Sequence, residues 1–109
     1  MPEDKQIQKY LPLTEATYYI MLALDEPLHG YGVMQKVKQT SEGMVDVGPG
    51  TLYGAFSTLQ EGGLIRMVKK EDRRKVYALT SKGMQVLRGQ IQRLQIMTKL
   101  GSDFLSRLG

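Results

Sequence analysis

The C-terminal part of the chain repeats apolar or small residues at alternating steps of three and four. The repeat consists of Met84, Leu87, Ile91, Leu94, Thr98, Gly101, Leu105 and Leu108. This spacing predicts one long helix from Ser81 to about Leu108 with a heptad seam along one side. A chain of 109 residues fits one domain, which offers no second domain to cover such a seam.

We therefore expect the seam to pair with a second copy of the chain, which would make the protein a homodimer. The residues expected at the dimer interface are Leu87, Ile91, Leu94, Thr98, Gly101, Leu105 and Leu108. The alternative is a helix that folds back onto its own domain.

Composition narrows the functional classes. Fifteen Lys and Arg residues against eleven Asp and Glu give a net charge of +4, so the distribution of charge matters more than its total. The chain has no cysteine and a single histidine, His29, which excludes thiolate zinc sites and multi-histidine metal sites within one chain. We expect no enzyme, no metal and no cofactor. No apolar run reaches the roughly 20 residues of a membrane span, so we expect a cytoplasmic protein.

The remaining pattern predicts three helices and a hairpin before the long helix. The helices run from about Thr14 to Leu24, from about Tyr31 to Thr40, and from about Pro49 to the Gly62-Gly63 pair. "LIRMVKK" and "KVYALT" predict a two-stranded hairpin around the polar turn "EDRR". The expected fold class is mainly α (α+β), with an N-terminal arm over residues 1–13, a helix-turn-helix domain with a hairpin over 14–80, and a dimerisation helix over 81–109.

The third predicted helix has an unusually bare outward face. Leu52, Ala55, Phe56 and Leu59 form its core stripe, whereas Gly50, Gly54 and Ser57 lie opposite, flanked by Thr51 and Tyr53. A glycine inside a helix costs about 1 kcal/mol relative to alanine. Close approach by a bulky partner would justify that cost, and the major groove of B-DNA, about 12 Å wide, admits one helix. The alternative is an ordinary solvated surface.

The hairpin that follows this helix is strongly basic. Its clustered cations are Lys69, Lys70, Arg73, Arg74 and Lys75, with Arg66 nearby, and the second helix adds Lys36 and Lys38 outside its apolar face. Such cations beside a groove-binding helix would contact the sugar-phosphate backbone and make binding depend on salt. The expected partner is double-stranded DNA. The alternatives are a solvated charged turn, or a similar domain that docks proteins, whose hairpin tip should be less basic.

Three stretches together resemble the winged helix-turn-helix of PadR-type transcriptional regulators. They are "HGYGVMQKV" (29–37), "GPGTLYGAFSTLQEGGLI" (48–65) and "RRKVYALTSKG" (73–83). The resemblance spans about residues 12–87 and implies a homodimeric DNA-binding protein, usually a repressor, on a palindromic operator. It places the reader-helix positions at Thr51, Leu52 and Tyr53, with Tyr53 contacting phosphate or base and Leu52 in the core.

The resemblance is to the short branch of the family, which has a single C-terminal helix. Some short members bind flat aromatic compounds at the dimer interface through tryptophan, which this chain lacks. Tyr10, Tyr18, Tyr19 and Phe104 would instead line an apolar cavity. A small apolar effector at the dimer interface is therefore a further partner that the resemblance suggests.

Overall fold

The computed structural model describes residues 5–109. In chain order, the elements are α1 (Lys5–Gln8), α2 (Glu15–Ala23), β1 (Leu28–His29), α3 (Gly30–Thr40), α4 (Pro49–Glu61), β2 (Ile65–Glu71), β3 (Arg74–Leu79) and α5 (Ser81–Leu108). This is the winged helix-turn-helix order, with α3 and α4 as the two helices and the β2–β3 hairpin as the wing. The predicted mixture of helices and a small antiparallel sheet is confirmed.

Side-chain caps explain where three of the helices begin. The hydroxyl of Thr14 accepts a hydrogen bond from the Thr17 backbone N–H, and that of Thr80 accepts one from Gly83 N–H. Such caps satisfy backbone donors that have no partner within the helix. At α3 the cap is His29, whose Nδ1 accepts from the Gly32 N–H. The helix α4 has no side-chain cap and begins with Pro49 instead.

The sheet differs from the prediction by one strand. The order is β1-β3-β2, with all pairs antiparallel, so β3 is central and the expected hairpin is part of a three-stranded sheet. The strand β1 has only two residues, too few to give a periodic signal. At the wing tip the strands continue to the Glu71–Arg74 pair, so the turn is shorter than "EDRR", with Asp72 at a φ of 53°.

The core lies where the helices and the base of the wing meet. Its fully buried side chains are Ile20, Met21, Leu24, Val33, Val37, Leu52, Leu64, Ile65 and Val86. On α4, Leu52, Phe56 and Leu59 are buried and Ala55 is half-buried, which confirms the predicted core stripe. The neighbours Val76 and Tyr77 are both buried, so both faces of β3 are covered at this point, against strict alternation of buried and exposed residues.

Residues 5–13, expected as part of an N-terminal arm, pack against the domain. Ile7, Tyr10 and Leu11 lie on the core cluster, and the Tyr10 hydroxyl donates to the carbonyl oxygen of Gly62 at 3.2 Å. The first four residues of the arm lie outside the described part of the chain. Within residues 5–109, none of the helices combines the length and the apolar character that crossing a bilayer requires.

The helix α5 is anchored at one end only. Gly83, Val86, Leu87 and Gln90 are its buried residues, and beyond Leu94 every residue is exposed. At its start, a Cβ on Gly83 would stand 2.1 Å from the carbonyl oxygen of Leu64, so only glycine permits this contact. The remainder of α5 projects from the domain.

Candidate nucleic-acid interface

The outward face of α4 is open to solvent along its length. Gly50, Thr51, Tyr53, Gly54 and Ser57 are all exposed. A Cβ atom added at Gly50 or at Gly54 would meet no other atom within 4 Å. The packing of the described residues therefore does not require glycine at these two positions, and the face is free to approach an external surface closely.

Tyr53 links α4 to the start of α3. Its side chain is half exposed, and its ring meets Phe56 edge-on, with centroids 6.0 Å apart. Its hydroxyl oxygen lies 2.5 Å from where a Cβ of Gly30 would stand. The absence of a side chain at Gly30 thus lets the Tyr53 ring lie against the start of α3.

Tyr77 joins the wing to α4. Its ring lies 4.6 Å from that of Phe56, centroid to centroid. Between α4, the start of α3 and the wing is a crevice of about 350 Å³. The crevice, hereafter the basic crevice, is lined by His29, Gly30, Tyr31, Tyr53, Arg73, Arg74, Lys75 and Tyr77. The fold therefore brings the predicted Tyr53 together with three of the predicted wing cations.

The charges of the wing are only partly neutralised. The ammonium of Lys69 lies 2.7 Å from a Glu71 carboxylate oxygen, and this hydrogen bond lowers the pKa of Glu71. Within residues 5–109, Lys70, Arg73 and Lys75 are exposed and form no ion pair. The wing tip therefore keeps an excess of positive charge that can face an anionic partner.

The two lysines of α3 have different surroundings. The Lys36 ammonium donates to the carbonyl oxygen of Ala23 at 3.0 Å and to the Asp25 carboxylate, and it lies 3.6 Å from Glu26. Lys36 is thereby held at the end of α2, away from the wing cations that line the basic crevice. Lys38 is exposed, and its helical spacing puts it on the outer side of α3 that also carries Tyr31.

His29 is a wall residue of the basic crevice that no sequence pattern placed in the interface. Its Nδ1 accepts a hydrogen bond from the Gly32 N–H at the start of α3, and its Nε2 lies 3.3 Å from Nη1 of Arg74. The ring of Tyr31 is parallel to it, with centroids 6.5 Å apart. Its place just before a predicted helix could have indicated the cap, but no local pattern indicated the wing contact.

The expected dimer seam is covered in its first part and uncovered in its second. Leu87 is 7% exposed and packs in the core of its own chain, so little of its side chain is left for the expected contact with a partner. Ile91 and Leu94 are half-buried. The other residues expected at the interface, Thr98, Gly101, Leu105 and Leu108, are exposed, as are the seam residue Met84 and the apolar residues Ile96, Met97, Leu100 and Phe104.

An open, mainly apolar groove lies beside the half-covered part of this seam. Its volume is about 580 Å³, and it runs between the end of α2, the base of the wing and α5. Leu24, Leu79 and Ile91 form part of its walls, and Arg88 and Asp25 add charged groups. Because Ile91 lines both the groove and the seam, the groove opens toward the surface on which a dimer partner is expected.

Comparison with known proteins agrees with this architecture. A transcriptional regulator from Clostridium thermocellum has a similar structure, with a TM-score of 0.69 at 21% identity, covering 93% of this chain and 98% of that one. A PadR family transcription regulator from Clostridium difficile has a TM-score of 0.69 at 24% identity, covering 84% of this chain and 99% of that one. At these identities the likeness establishes the fold.

Sequence comparison establishes the family. An uncharacterized 37.1 kDa protein in a transposon of Streptomyces fradiae is 35% identical over 74 residues, which is 67% of this chain. The match spans only 21% of that relative's length. The model of the transcriptional regulator PadR-like family matches residues 20–89, from within α2 into α5. The exposed face of α4 and the basic wing agree with this match, which spans most of the folded domain. The chain therefore belongs to the PadR-like family of transcriptional regulators.

Proposed function

We propose that the protein is a homodimeric repressor that binds a palindromic operator, with α4 in the major groove and the wing along the adjacent backbone. The observation that carries the proposal is the basic crevice, where the open face of α4 and the cations of the wing tip meet on one side of the domain. A groove-reading helix needs a bare approach face, and the backbone beside it needs cations. This surface supplies both.

The expected contacts divide between the two elements. Thr51, Tyr53 and Ser57 are the exposed polar residues on α4 that can reach base edges or phosphates, while Gly50 and Gly54 allow close approach. On the wing, Lys70, Arg73 and Lys75 have no competing carboxylate partner among the described residues. Lys69 shares its charge with Glu71 and should contribute less.

Dimerisation through α5 is the second part of the proposal. The apolar residues of its projecting half remain exposed, and large exposed apolar patches are typical of interaction surfaces. Near the start of α5, one helix face carries the buried residues Val86 and Leu87. The same face continues along the projecting half with Met97, Leu105 and Leu108. A second copy would cover this face and hold two reader helices on successive major grooves, about 34 Å apart.

The proposed function leaves a place for an effector. The apolar groove beside Leu79 and Ile91 borders the proposed dimer surface, so a small apolar molecule bound there would touch the base of the wing and α5 together. Such a molecule could change the angle between the two DNA-binding domains. We therefore assign the suggested effector to this groove.

DNA binding should be tested by fluorescence anisotropy with labelled duplexes tiled across the region upstream of the protein's own gene, over a range of salt concentrations. We expect one duplex with an inverted repeat to bind more tightly than the others, and Tyr53→Ala to remove that preference. Arg73→Ala combined with Arg74→Ala should weaken binding to every duplex and lower the salt slope by about 0.9 per lost phosphate contact.

Lys99→Ala combined with Arg107→Ala is the matched control, since it removes the same charge from exposed positions on the projecting half of α5. It should leave the salt slope almost unchanged. If both double variants changed the slope equally, the wing assignment would be wrong. If the wild-type protein bound no duplex, DNA binding itself would be excluded and a protein-docking function would be favoured.

A further inference from the structure

The two ring nitrogens of His29 have different neighbours in the basic crevice. Nδ1 accepts a hydrogen bond from the Gly32 backbone N–H at 3.1 Å, so this nitrogen carries no proton. In a neutral imidazole the proton then belongs to Nε2, which becomes a donor. Nε2 lies 3.3 Å from Nη1 of Arg74.

The contact between His29 and Arg74 therefore joins two donors. A guanidinium group has five N–H donors and no acceptor, so it cannot accept from the imidazole N–H. Two donors this close are satisfied when a third group offers an acceptor oxygen to both. The pair has the chemistry of an oxyanion site, because anionic oxygens bind charged and neutral donors together strongly.

The rest of the basic crevice agrees with an anionic occupant. Its other polar lining groups are the hydroxyls of Tyr31, Tyr53 and Tyr77 and the cations of Arg73 and Lys75, and no carboxylate lines it. The Glu71 carboxylate, whose strand neighbour is Arg74, is bound to the Lys69 ammonium. The nearby Glu71 carboxylate is thus already paired with Lys69, and it also interacts electrostatically with His29.

We propose that His29 and Arg74 together hold one backbone phosphodiester of the bound DNA, with the neutral His29 ring donating from Nε2. The inference rests on the proposed DNA-binding function and deepens it by naming one phosphate contact. The occupant is a phosphodiester because the crevice is open and lies between the reader helix and the wing. The cap at Gly32 fixes the tautomer, and the parallel Tyr31 ring fixes the plane of the imidazole.

Two substitutions at His29 separate the cap from the donor. In His29→Asn the side-chain oxygen can replace Nδ1 as the cap, but no group reaches the Nε2 position. In His29→Gln the amide nitrogen reaches the Nε2 position, but the cap is lost. We expect His29→Asn to keep the melting temperature and to weaken DNA binding about tenfold per half-site. His29→Gln should melt at a lower temperature yet bind nearly as the wild type while folded.

The salt dependence of DNA binding gives a second readout. A purely structural role of His29 would not change it in the same way. Loss of the neutral His29 donor should weaken binding at every salt concentration with an unchanged slope. Arg74→Gln removes a charge from the same phosphate and should lower the slope by about 0.9 per half-site.

The imidazole can also be observed directly, because His29 is the single histidine of the chain. Long-range ¹H–¹⁵N spectra of the untagged protein should show the Nε2–H tautomer, and its Nε2 resonance should shift when duplex DNA is added. Inorganic phosphate is the comparison ligand, and we expect it to cause a much smaller shift than the duplex.

The outcomes distinguish this inference from the function on which it rests. If the wild type binds DNA but His29→Asn binds equally well, or if the spectra show an Nδ1–H tautomer, the phosphate contact is wrong and the DNA-binding function stands. A response to inorganic phosphate without a response to duplex would also overturn it. If the wild type binds no duplex, both proposals fail together.

Discussion

The hydroxyl oxygen of Tyr53 lies 2.5 Å from the point at which a Cβ atom on Gly30 would stand. The ring carbon Cζ of Tyr53 would lie 2.9 Å from the same Cβ atom. Both distances are shorter than van der Waals contact allows, so the ring can occupy this position only while residue 30 is glycine. The pairing sets the direction of the aromatic side chain on α4 that we place at the DNA surface.

Gly30→Ala should therefore displace the Tyr53 ring and weaken specific DNA binding several-fold. Because the end of a tyrosine side chain can rotate away, we expect a loss of stability of only about 1 kcal/mol. Gly32→Ala is the matched control, since its Cβ would lie 3.5 Å from the nearest atoms, an ordinary contact. Anisotropy titrations and thermal melts of both variants provide the measurement. Equal affinity of Gly30→Ala and the wild type would contradict the role of the ring position.

Gly54→Ala should separate stability from function. A Cβ at this position meets nothing within 4 Å, so alanine adds helix propensity without a clash in the protein. We expect the free energy of unfolding to rise by about 1 kcal/mol. The added methyl group would face the DNA, so affinity for the operator should fall. Denaturant unfolding and DNA titration of the same sample test both effects, and a more stable variant with undiminished affinity would show that this face does not approach DNA.

Features that depend on local spacing were predictable from the sequence. The core stripe of α4 and the cap at Thr14 follow from residues within a few positions of one another, and the structure contains both. The strand β1 was missed because its identity depends on pairing with distant Tyr77. A further irregularity, the register shift between Met67 and Lys69, also has no local signal. The positions of the wing cations in the chain were evident, but their distance from α4 was not.

The basic crevice shows why the site was only partly predictable. Its contact between His29 and Arg74 spans 45 positions in the chain, so it exists only after the sheet has formed. Leu87 shows a second limit of prediction from the sequence. Periodicity correctly places it on an apolar helix face, but periodicity cannot show whether that face packs against the same chain or against another copy.

The ion pair between Lys36 and Asp25 predicts a pH dependence of stability. Hydrogen bonding to the Lys36 ammonium lowers the pKa of Asp25, and hydrogen bonding to the carboxylate raises the pKa of Lys36. A carboxyl group whose pKa is lower in the folded protein stabilises it above the unfolded value of about 3.9. That contribution is lost as the pH falls through the folded pKa. The lysine contribution is present below about pH 10.4 and is lost at higher pH.

Lys36→Met should therefore lower the melting temperature most between about pH 3.9 and about pH 10.4. Below pH 5, the melting temperature of the variant should change less with pH than that of the wild type. The effect should be small because the Asp25 side chain is 72% exposed and water screens the pair. Lys38→Met is the control, since Lys38 is exposed and forms no ion pair within residues 5–109. Thermal melts of the wild type and both variants between pH 3 and pH 7 provide the measurement. Parallel curves for Lys36→Met and the wild type would exclude a stabilising pair.

Leu105→Lys should convert a dimer into a monomer. Leu105 is 67% exposed in the isolated chain, so a lysine there costs the monomer little, whereas a covered seam would have to bury its charge. Ser106→Lys adds the same charge to the next residue, which points about 100° away around the helix and should leave the dimer intact.

Sedimentation equilibrium should show the mass of two chains for the wild type and Ser106→Lys, and that of one chain for Leu105→Lys. Operator affinity should fall only in the variant that dissociates, because one domain alone contacts a single half-site and loses the gain from linking two binding events. A Leu87→Lys variant would not answer the question, since Leu87 is buried in its own core and the domain would unfold. If Leu105→Lys kept the wild-type mass, another surface would have to join the two copies, and the projecting half of α5 would need a different partner.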